Sequence, residues 1–302
     1  MKIHIVGAGM SGLLAANVLR RHDVTVFERS PRLPDNHGAL LRFGSPAVSD
    51  ATGIPFRKVT VQKWVEGGYS PIVASNLYSQ KVTGSISARS ILNTDGGDRW
   101  IAPKSFLQQL ASGLRIRFGI DYFNHPVGEE PDIVISTISL PDLLGSHNYL
   151  HSDITFAYKS IATLSCDIVN PPIDVFQSVY IPKLEDPVYR ASITGNRLIL
   201  EGSFVPEVIE FGADGLLVDY AERFFGIEGF AADENVSFKQ HRYGKILPID
   251  EVARQQLLYK FTSKHGIFSL GRYATWRPGL QLCDLIKDIM KIENWAINGM
   301  YK

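Results

Sequence analysis

Six residues, Gly7-Ala8-Gly9-Met10-Ser11-Gly12, constrain this chain more than any others. They form a complete G-x-G-x-x-G. Before them, Ile3, Ile5 and Val6 make a short apolar run, the pattern of a buried parallel strand. After them, Leu13, Leu14, Ala15, Ala16, Val18 and Leu19 read as a helix. Val24-Thr25-Val26-Phe27 then reads as a second strand, ending in Glu28. The unit closes within about 30 residues, as a dinucleotide-binding turn requires. Gly7 allows the tight turn, Gly9 lets backbone approach a pyrophosphate, and Gly12 lets the helix pack on the strand. Met10 and Ser11 open the helix, whose unpaired N–H groups and positive dipole end suit phosphate. Glu28 stands where a carboxylate would accept from ribose hydroxyls.

Composition narrows the class. With 302 residues, 45% hydrophobic and 21% charged, the chain has the profile of a globular protein of about two domains. Lys plus Arg and Asp plus Glu are 31 each, so the net charge is zero. That argues against a dedicated polyanion binder, while leaving room for one modified base in a local basic cleft. The two cysteines, Cys166 and Cys283, are too few for a disulfide scaffold and lack metal-like spacing. No apolar stretch approaches the roughly 20 residues of a membrane span. A cytoplasmic protein that binds no metal is expected.

Which nucleotide is bound is decided further along. Glu28 is followed by Arg29 and Arg32, then by Asn36-His37-Gly38-Ala39, with Arg42 just beyond. Arg32 and Arg42 are candidate phosphate partners. Residues 131–141, Pro-Asp-Ile-Val-Ile-Ser-Thr-Ile-Ser-Leu-Pro, read as a buried strand running into a turn at Thr137. Residues 266–271 read as a strand ending in Gly271, followed by Arg272, Tyr273 and Trp276. An amphipathic run then carries Leu280, Leu282, Leu285, Ile286, Ile289 and Met290.

On these segments the chain resembles the glutathione-reductase-type FAD superfamily. Within it, the chain is most similar to the branch containing UDP-galactopyranose mutase, protoporphyrinogen oxidase and the flavin amine oxidases. Residues 180–182, 188–190, 243–248 and 271–273 carry further echoes of that branch. The resemblance implies FAD as cofactor, held by Gly7, Gly9, Met10, Ser11, Gly12, Glu28, Arg29, Arg32, Arg42, Thr137, Gly271, Arg272 and Trp276. It also implies an α/β fold, with a Rossmann-like FAD-binding domain built on a parallel sheet. An antiparallel-sheet α+β substrate domain would be inserted into it. The expected boundaries are 1–60, 95–150 and 240–302 for the FAD domain, and 61–94 and 151–239 for the substrate domain. Within the latter, residues 154–158, 162–169, 176–181 and 197–201 alternate as strands, and 212–225 has helical spacing. Loops are expected at Gly67-Gly68 and at residues 95–98.

The leading catalytic candidate comes from the substrate domain. Arg190 could pair with a substrate carboxylate or phosphate, with Tyr180, Tyr189, Tyr243 and Lys245 beside it. His37, His241 and His265 are weaker candidates, and no hydrolytic triad or zincin motif is present. The expected activity is FAD-dependent oxidation of a C–N bond in a small amine or amino-acid-like group, giving an imine that water hydrolyses. Two alternatives stand beside it. One is action on an amino-acid-modified base of phage DNA. The other is a non-redox nucleotide-sugar mutase. The substrate is thus a small molecule or a modified nucleoside. No second G-x-G-x-x-G is present for a separate nicotinamide domain.

Overall fold

A computed structural model describes residues 1–33, 41–86, 90–92, 96–125, 127–128, 130–149, 154–203, 212–232 and 236–299. In chain order the first elements are β1 (Lys2–Val6), α1 (Met10–Val18), β2 (Asp23–Glu28), β3 (Arg42–Phe43), α2 (Ala47–Thr52), β4 (Arg57–Val65) and α3 (Pro71–Thr83). There follow β5 (Gly97–Ile101), α4 (Phe106–Ala111), β6 (Ile116–Phe118), β7 (Ile133–Ser136) and α5 (Leu140–Ser146). Next come β8 (Tyr158–Asn170), β9 (Val175–Tyr180), β10 (Val188–Gly195), β11 (Arg197–Gly202), α6 (Ala213–Phe225), β12 (Ala231–Ala232) and β13 (Ser237–Ile246). The chain closes with α7 (Glu251–His265), β14 (Ile267–Ser269) and α8 (Leu285–Ile297).

The strands form two sheets. The first has the order β14-β7-β1-β2-β6, with every pairing parallel. Its strands alternate in what they bury, as a period of two demands. Ile3, Ile5, Ile133 and Ile135 face a core shared with α1, α4 and α8. Val6, Val134 and Ile267 face the opposite core, with α5, α7 and Trp276. Helices on both faces explain why these strands read as continuous apolar runs. The architecture is α/β, with a Rossmann-like parallel sheet and a separate, larger mixed sheet.

The second sheet runs β12-β8-β11-β10-β9-β4-β5-β3, with β13 also on β8. All its pairings are antiparallel except β4 with β9. One of its faces is apolar: Leu164, Cys166, Val179, Ala191, Ile193, Leu198 and Leu200 pack on Leu217, Tyr220 and Phe224 of α6. The opposite face carries hydroxyls and charges. Gly97 and Asp98, in a stretch expected as loop, begin strand β5 instead. There Gly96 fits because a Cβ would lie 2.7 Å from the Val61 carbonyl. Strands β3 and β5, from stretches assigned by sequence to the nucleotide unit, pair within this second sheet. β3 links the halves: Phe43 enters the core of α1 and α4, and the next residue back, Arg42, turns to the second sheet. No helix of the described residues is long and apolar enough to cross a membrane.

Candidate functional site

The C-terminal edge of the parallel sheet gathers three turns. After β1, Gly7 adopts φ +100°, and its N–H donates to Phe27 O at 2.8 Å. A Cβ on Gly12 would stand 1.9 Å from Gly7 O, so only glycine lets α1 start this close to the strand end. Gly9 is different. A Cβ there meets nothing within 4 Å, and the space over the turn is open. Gly9 caps α1 without a side-chain hydrogen bond, leaving the first-turn N–H groups directed at that space.

The Glu28 carboxylate lies beside this opening. Ala8 N–H donates to Oε2 at 2.7 Å and Ser30 N–H to Oε1 at 2.8 Å. A carboxylate offers about four lone-pair positions, so two remain for outside donors such as a ribose diol. After β7, the Thr137 hydroxyl donates to Val6 O at 2.9 Å and braces the glycine turn from below. After β14, Gly271 has φ +106°, and a Cβ there would lie 2.8 Å from Ser11 Oγ. The far end of the chain thus closes against the first turn of α1.

Gly7, Gly9, Met10, Ser11, Gly12, Glu28, Thr137 and Gly271 are therefore together. Arg29 and Arg32 are exposed just beyond Glu28. His37 and its neighbours lie outside the described residues. Three expected cofactor residues have their side chains engaged by other parts of the protein. Arg42 spends its guanidinium on the second sheet, donating to Thr194 Oγ1 at 2.7 Å, Ser178 Oγ at 2.8 Å and Gln177 O at 2.9 Å, and also to Ile193 O. Arg272 donates twice to Leu280 O, at 2.7 and 2.9 Å, bracing the loop that precedes α8. Trp276 is a core residue with 0% exposure, its Nε1 donating to Leu247 O at 3.0 Å. It presents no surface to a ligand, because the chain after Gly271 tucks inward at a left-handed backbone position, φ +47°.

The catalytic candidates divide into two groups. Arg190, Tyr189 and Lys245 converge on Glu201, a residue the sequence reading passed over. Arg190 is opposite Glu201 in the β10–β11 register, and a bulge after Val188 brings Tyr189 to the same place. Arg190 Nη2 donates to Glu201 Oε1. Tyr189 OH donates to Oε2 at 3.1 Å, and Lys245 Nζ stands 3.9 Å from that oxygen and 5.1 Å from the centre of the Tyr189 ring. Burial pushes the Glu201 carboxyl up, but Arg190, Lys245 and the bonds from Arg190 and Tyr189 outweigh it, holding it at about 2. Burial and the Glu201 charge push the Tyr189 phenol well up. Tyr180 and Tyr189 both pack on Tyr78 of α3, at ring separations of 5.5 and 6.0 Å. Glu201 closes the apolar run Leu198-Ile199-Leu200. A lone charge at the end of a buried strand was the signal that could have found it.

Tyr243 belongs to the other group. Its hydroxyl donates to Asp142 Oδ1 at 3.3 Å, in the first turn of α5. Its ring packs on Tyr158 at 4.7 Å and Trp276 at 5.7 Å. Burial pushes its phenol up. His241 Nε2 lies 3.4 Å from Thr163 Oγ1, and burial pulls its imidazole down. His265 packs on His147 at 5.0 Å and is likewise lowered by burial, away from the cleft described above.

These features can be set against known proteins. A family model described as an NAD(P)-binding Rossmann-like domain matches residues 5–34, the β1–α1–β2 unit. No curated protein sequence matches the chain. The crystal structure of reduced UDP-galactopyranose mutase superposes with a TM-score of 0.69, covering 98% of this chain and 95% of that one, at 16% identity. The chain shares the fold of UDP-galactopyranose mutase. A conjugated-linoleic-acid-producing fatty acid isomerase from P. acnes also matches, at a TM-score of 0.60 and 12% identity, over 97% of both chains. So does an oxidoreductase from Methanosarcina mazei, at 0.59 and 13% identity, over 97% of this chain and all of that one. At these identities the likeness is one of fold, shared by proteins of different chemistry.

Proposed function

We propose that this chain is a FAD-dependent oxidoreductase acting on a C–N bond of a small amine or amino-acid-like group. The observation that carries the cofactor is the contact of Gly271 with Ser11. A nucleotide site built from both ends of the chain suits an extended dinucleotide lying across the edge of the sheet. The residues present fit that group: an open approach at Gly9, an uncapped α1 and two spare lone-pair positions on Glu28. In this reading Gly7, Gly9, Met10, Ser11 and Gly12 hold the pyrophosphate. Glu28 takes the ribose, Arg29 and Arg32 flank it, and Thr137 and Gly271 shape the turns beneath. The threaded division of the chain, with the second sheet forming the substrate wall, is part of the same reading.

Bound FAD supplies the hydride acceptor. The protein's part is to orient the substrate and exclude water. The buried cluster of Arg190, Glu201, Tyr189 and Lys245 is rigidly cross-linked and suited to positioning. The test is direct. The purified protein should carry or take up FAD, and anaerobic mixing with amines or amino acids should bleach the oxidised flavin absorption. A protein that binds no FAD overturns the proposal. A second reading, a non-redox mutase, is favoured by the end-to-end superposition on UDP-galactopyranose mutase. It predicts turnover of a nucleotide sugar only after chemical reduction of the flavin.

A further inference from the structure

The polar face of the second sheet holds more positive charge than it neutralises. Two adjacent rows of side chains cross it. The first is Lys63 (β4), Ser178 (β9) and Ser192 (β10); the second is Tyr180 (β9), Arg190 (β10) and Glu201 (β11). The Ser178 and Ser192 hydroxyls are 2.7 Å apart and buried, and Arg42 lies over them from β3. Arg99 joins from β5.

The charges do not balance. Among the described residues, every hydrogen bond of Arg42 goes to a neutral acceptor, namely two hydroxyls and two backbone carbonyls. Lys63 has no ion-pair partner among the described residues. Arg99 donates to the Asp98 carbonyl at 2.7 Å, whereas the Asp98 carboxylate is held by Lys58 at 2.6 Å. Of these four cations only Arg190 has a carboxylate partner among the described residues, Glu201, which Lys245 shares; farther along the same face Asp167 is taken by Arg197 and Lys104. Arg190 Nε is buried and lacks an acceptor among the described residues. These cations feel one another. Burial, then Arg190 and Arg99, bring Arg42 down to about 9, although Tyr180 opposes them. Burial, with Arg99, Arg42 and Arg190, lowers Lys63, again against Tyr180.

A desolvated cation is costly unless an anion meets it. Arg42, Lys63 and Arg99 add three cations to a carboxylate already shared by Arg190 and Lys245, which makes a face that an incoming anion would stabilise. We propose that the face formed by Arg42, Lys63, Arg99 and Arg190 binds an oxyanion, a carboxylate or phosphate group carried by the substrate. Arginine and lysine together suit such a group, the first by its planar fork and the second as a point charge. The Tyr180 phenol, opposite Arg190, adds a neutral donor. The assignment rests on the second sheet being the substrate wall. It narrows the substrate class, since a simple cationic amine would be repelled, whereas an amino acid or a phosphorylated compound would be held.

The test is thermal unfolding of the flavin-loaded protein in inorganic phosphate, in succinate and in chloride at equal ionic strength. A saturable rise in Tm with phosphate or succinate, absent with chloride, is expected. The stronger of the two identifies the source as phosphate or carboxylate. Lys63→Gln should weaken the effective Kd by roughly tenfold, the usual consequence of losing one charge-assisted contact. Arg42→Gln should do so more strongly. Should Arg42→Gln fail to fold, Lys63→Gln still decides, because its amine has no ion-pair partner to lose among the described residues. Arg115→Gln, at an exposed pair with Asp23, should respond as wild type. Equal Tm in all three salts, or an unchanged response in Lys63→Gln, overturns the proposal. So does loss of FAD binding in Lys63→Gln, which would assign the cations to the cofactor. Absence of flavin from the wild type overturns the proposed function instead, and the anion titration remains readable on the apoprotein.

Discussion

The Ala8 amide donates to Glu28 Oε2 at 2.7 Å, tying the end of β2 to the glycine turn after β1. One carboxylate therefore shapes the turn and faces the cleft. Glu28→Gln replaces one oxygen by an NH2 group, which must then confront a donor, Ala8 N–H or Ser30 N–H. A lost and reversed bond costs roughly 1–3 kcal/mol. The Tm should fall by several degrees, and FAD affinity, read by quenching of flavin fluorescence, should weaken tenfold or more. Unchanged affinity would remove Glu28 from the ribose site.

Two glycines of the same motif should behave oppositely. Gly12→Ala places a Cβ 1.9 Å from Gly7 O, backbone that cannot move without parting α1 from β1. Destabilisation of about 3 kcal/mol or more is expected, the range of severe overpacking. Gly9→Ala meets nothing within 4 Å, and the Gly9 φ of −72° suits any residue. Its Tm should match wild type, yet its methyl group occupies the approach to the pyrophosphate. Normal folding with lost FAD binding is the expected signature. Normal binding in Gly9→Ala would place the dinucleotide elsewhere.

The local parts of this site were legible in sequence because each is set by a short-range need. Gly7 and Gly12 are required by a turn and a close approach within six residues, and Ile3, Ile5 and Val26 by burial on one side of a strand. What sequence could not show was where long side chains end. Arg42 stands near the expected phosphate loop, but a strand residue whose neighbour Phe43 is committed to one core must point the other way. Trp276 follows the Gly271 turn by five residues, yet a left-handed kink sends it inward. Helix α7 was missed altogether. It buries only Arg254, Leu257 and Phe261, too sparse a stripe to announce a helix of 15 residues. Glu201 depended on a register between strands, which no local pattern encodes.

Glu201 should control acid stability. Its carboxyl is held at about 2 in the folded protein, against about 4.3 in an unfolded chain. The folded value is depressed, so its stabilisation is complete above the unfolded value and is lost as pH falls towards about 2. Glu201→Gln leaves Arg190, 19% exposed in its side chain, without its carboxylate. Breaking such a pair costs about 3–5 kcal/mol. Urea unfolding at pH 7 should show that loss. Between about pH 4 and 2 the gap between wild type and Glu201→Gln should narrow. A gap that stays constant with pH would mean that the carboxylate is not charged in the folded state.

Lys81 holds α3 onto the second sheet by an unusual arrangement of acceptors. Its ammonium donates to three backbone carbonyls, Lys183 O and Val188 O at 2.7 Å and Ile181 O at 2.8 Å, all in or beside the loop between β9 and β10. Three residues earlier on the same helix, Tyr78 packs on Tyr180 and Tyr189. The latch therefore fixes the aromatic contacts that flank Arg190 and Glu201. Lys81→Met keeps the apolar stem and removes all three donors, at an expected cost of about 2–4 kcal/mol. Lys81→Arg should not restore the loss, because a planar fork cannot serve three carbonyls converging on one point. Limited proteolysis is the readout that separates a latch from general packing. In Lys81→Met, cleavage within residues 71–83 should accelerate well before global unfolding, while cleavage in α1 stays slow. Equal acceleration at both helices would show that Lys81 only adds to overall stability.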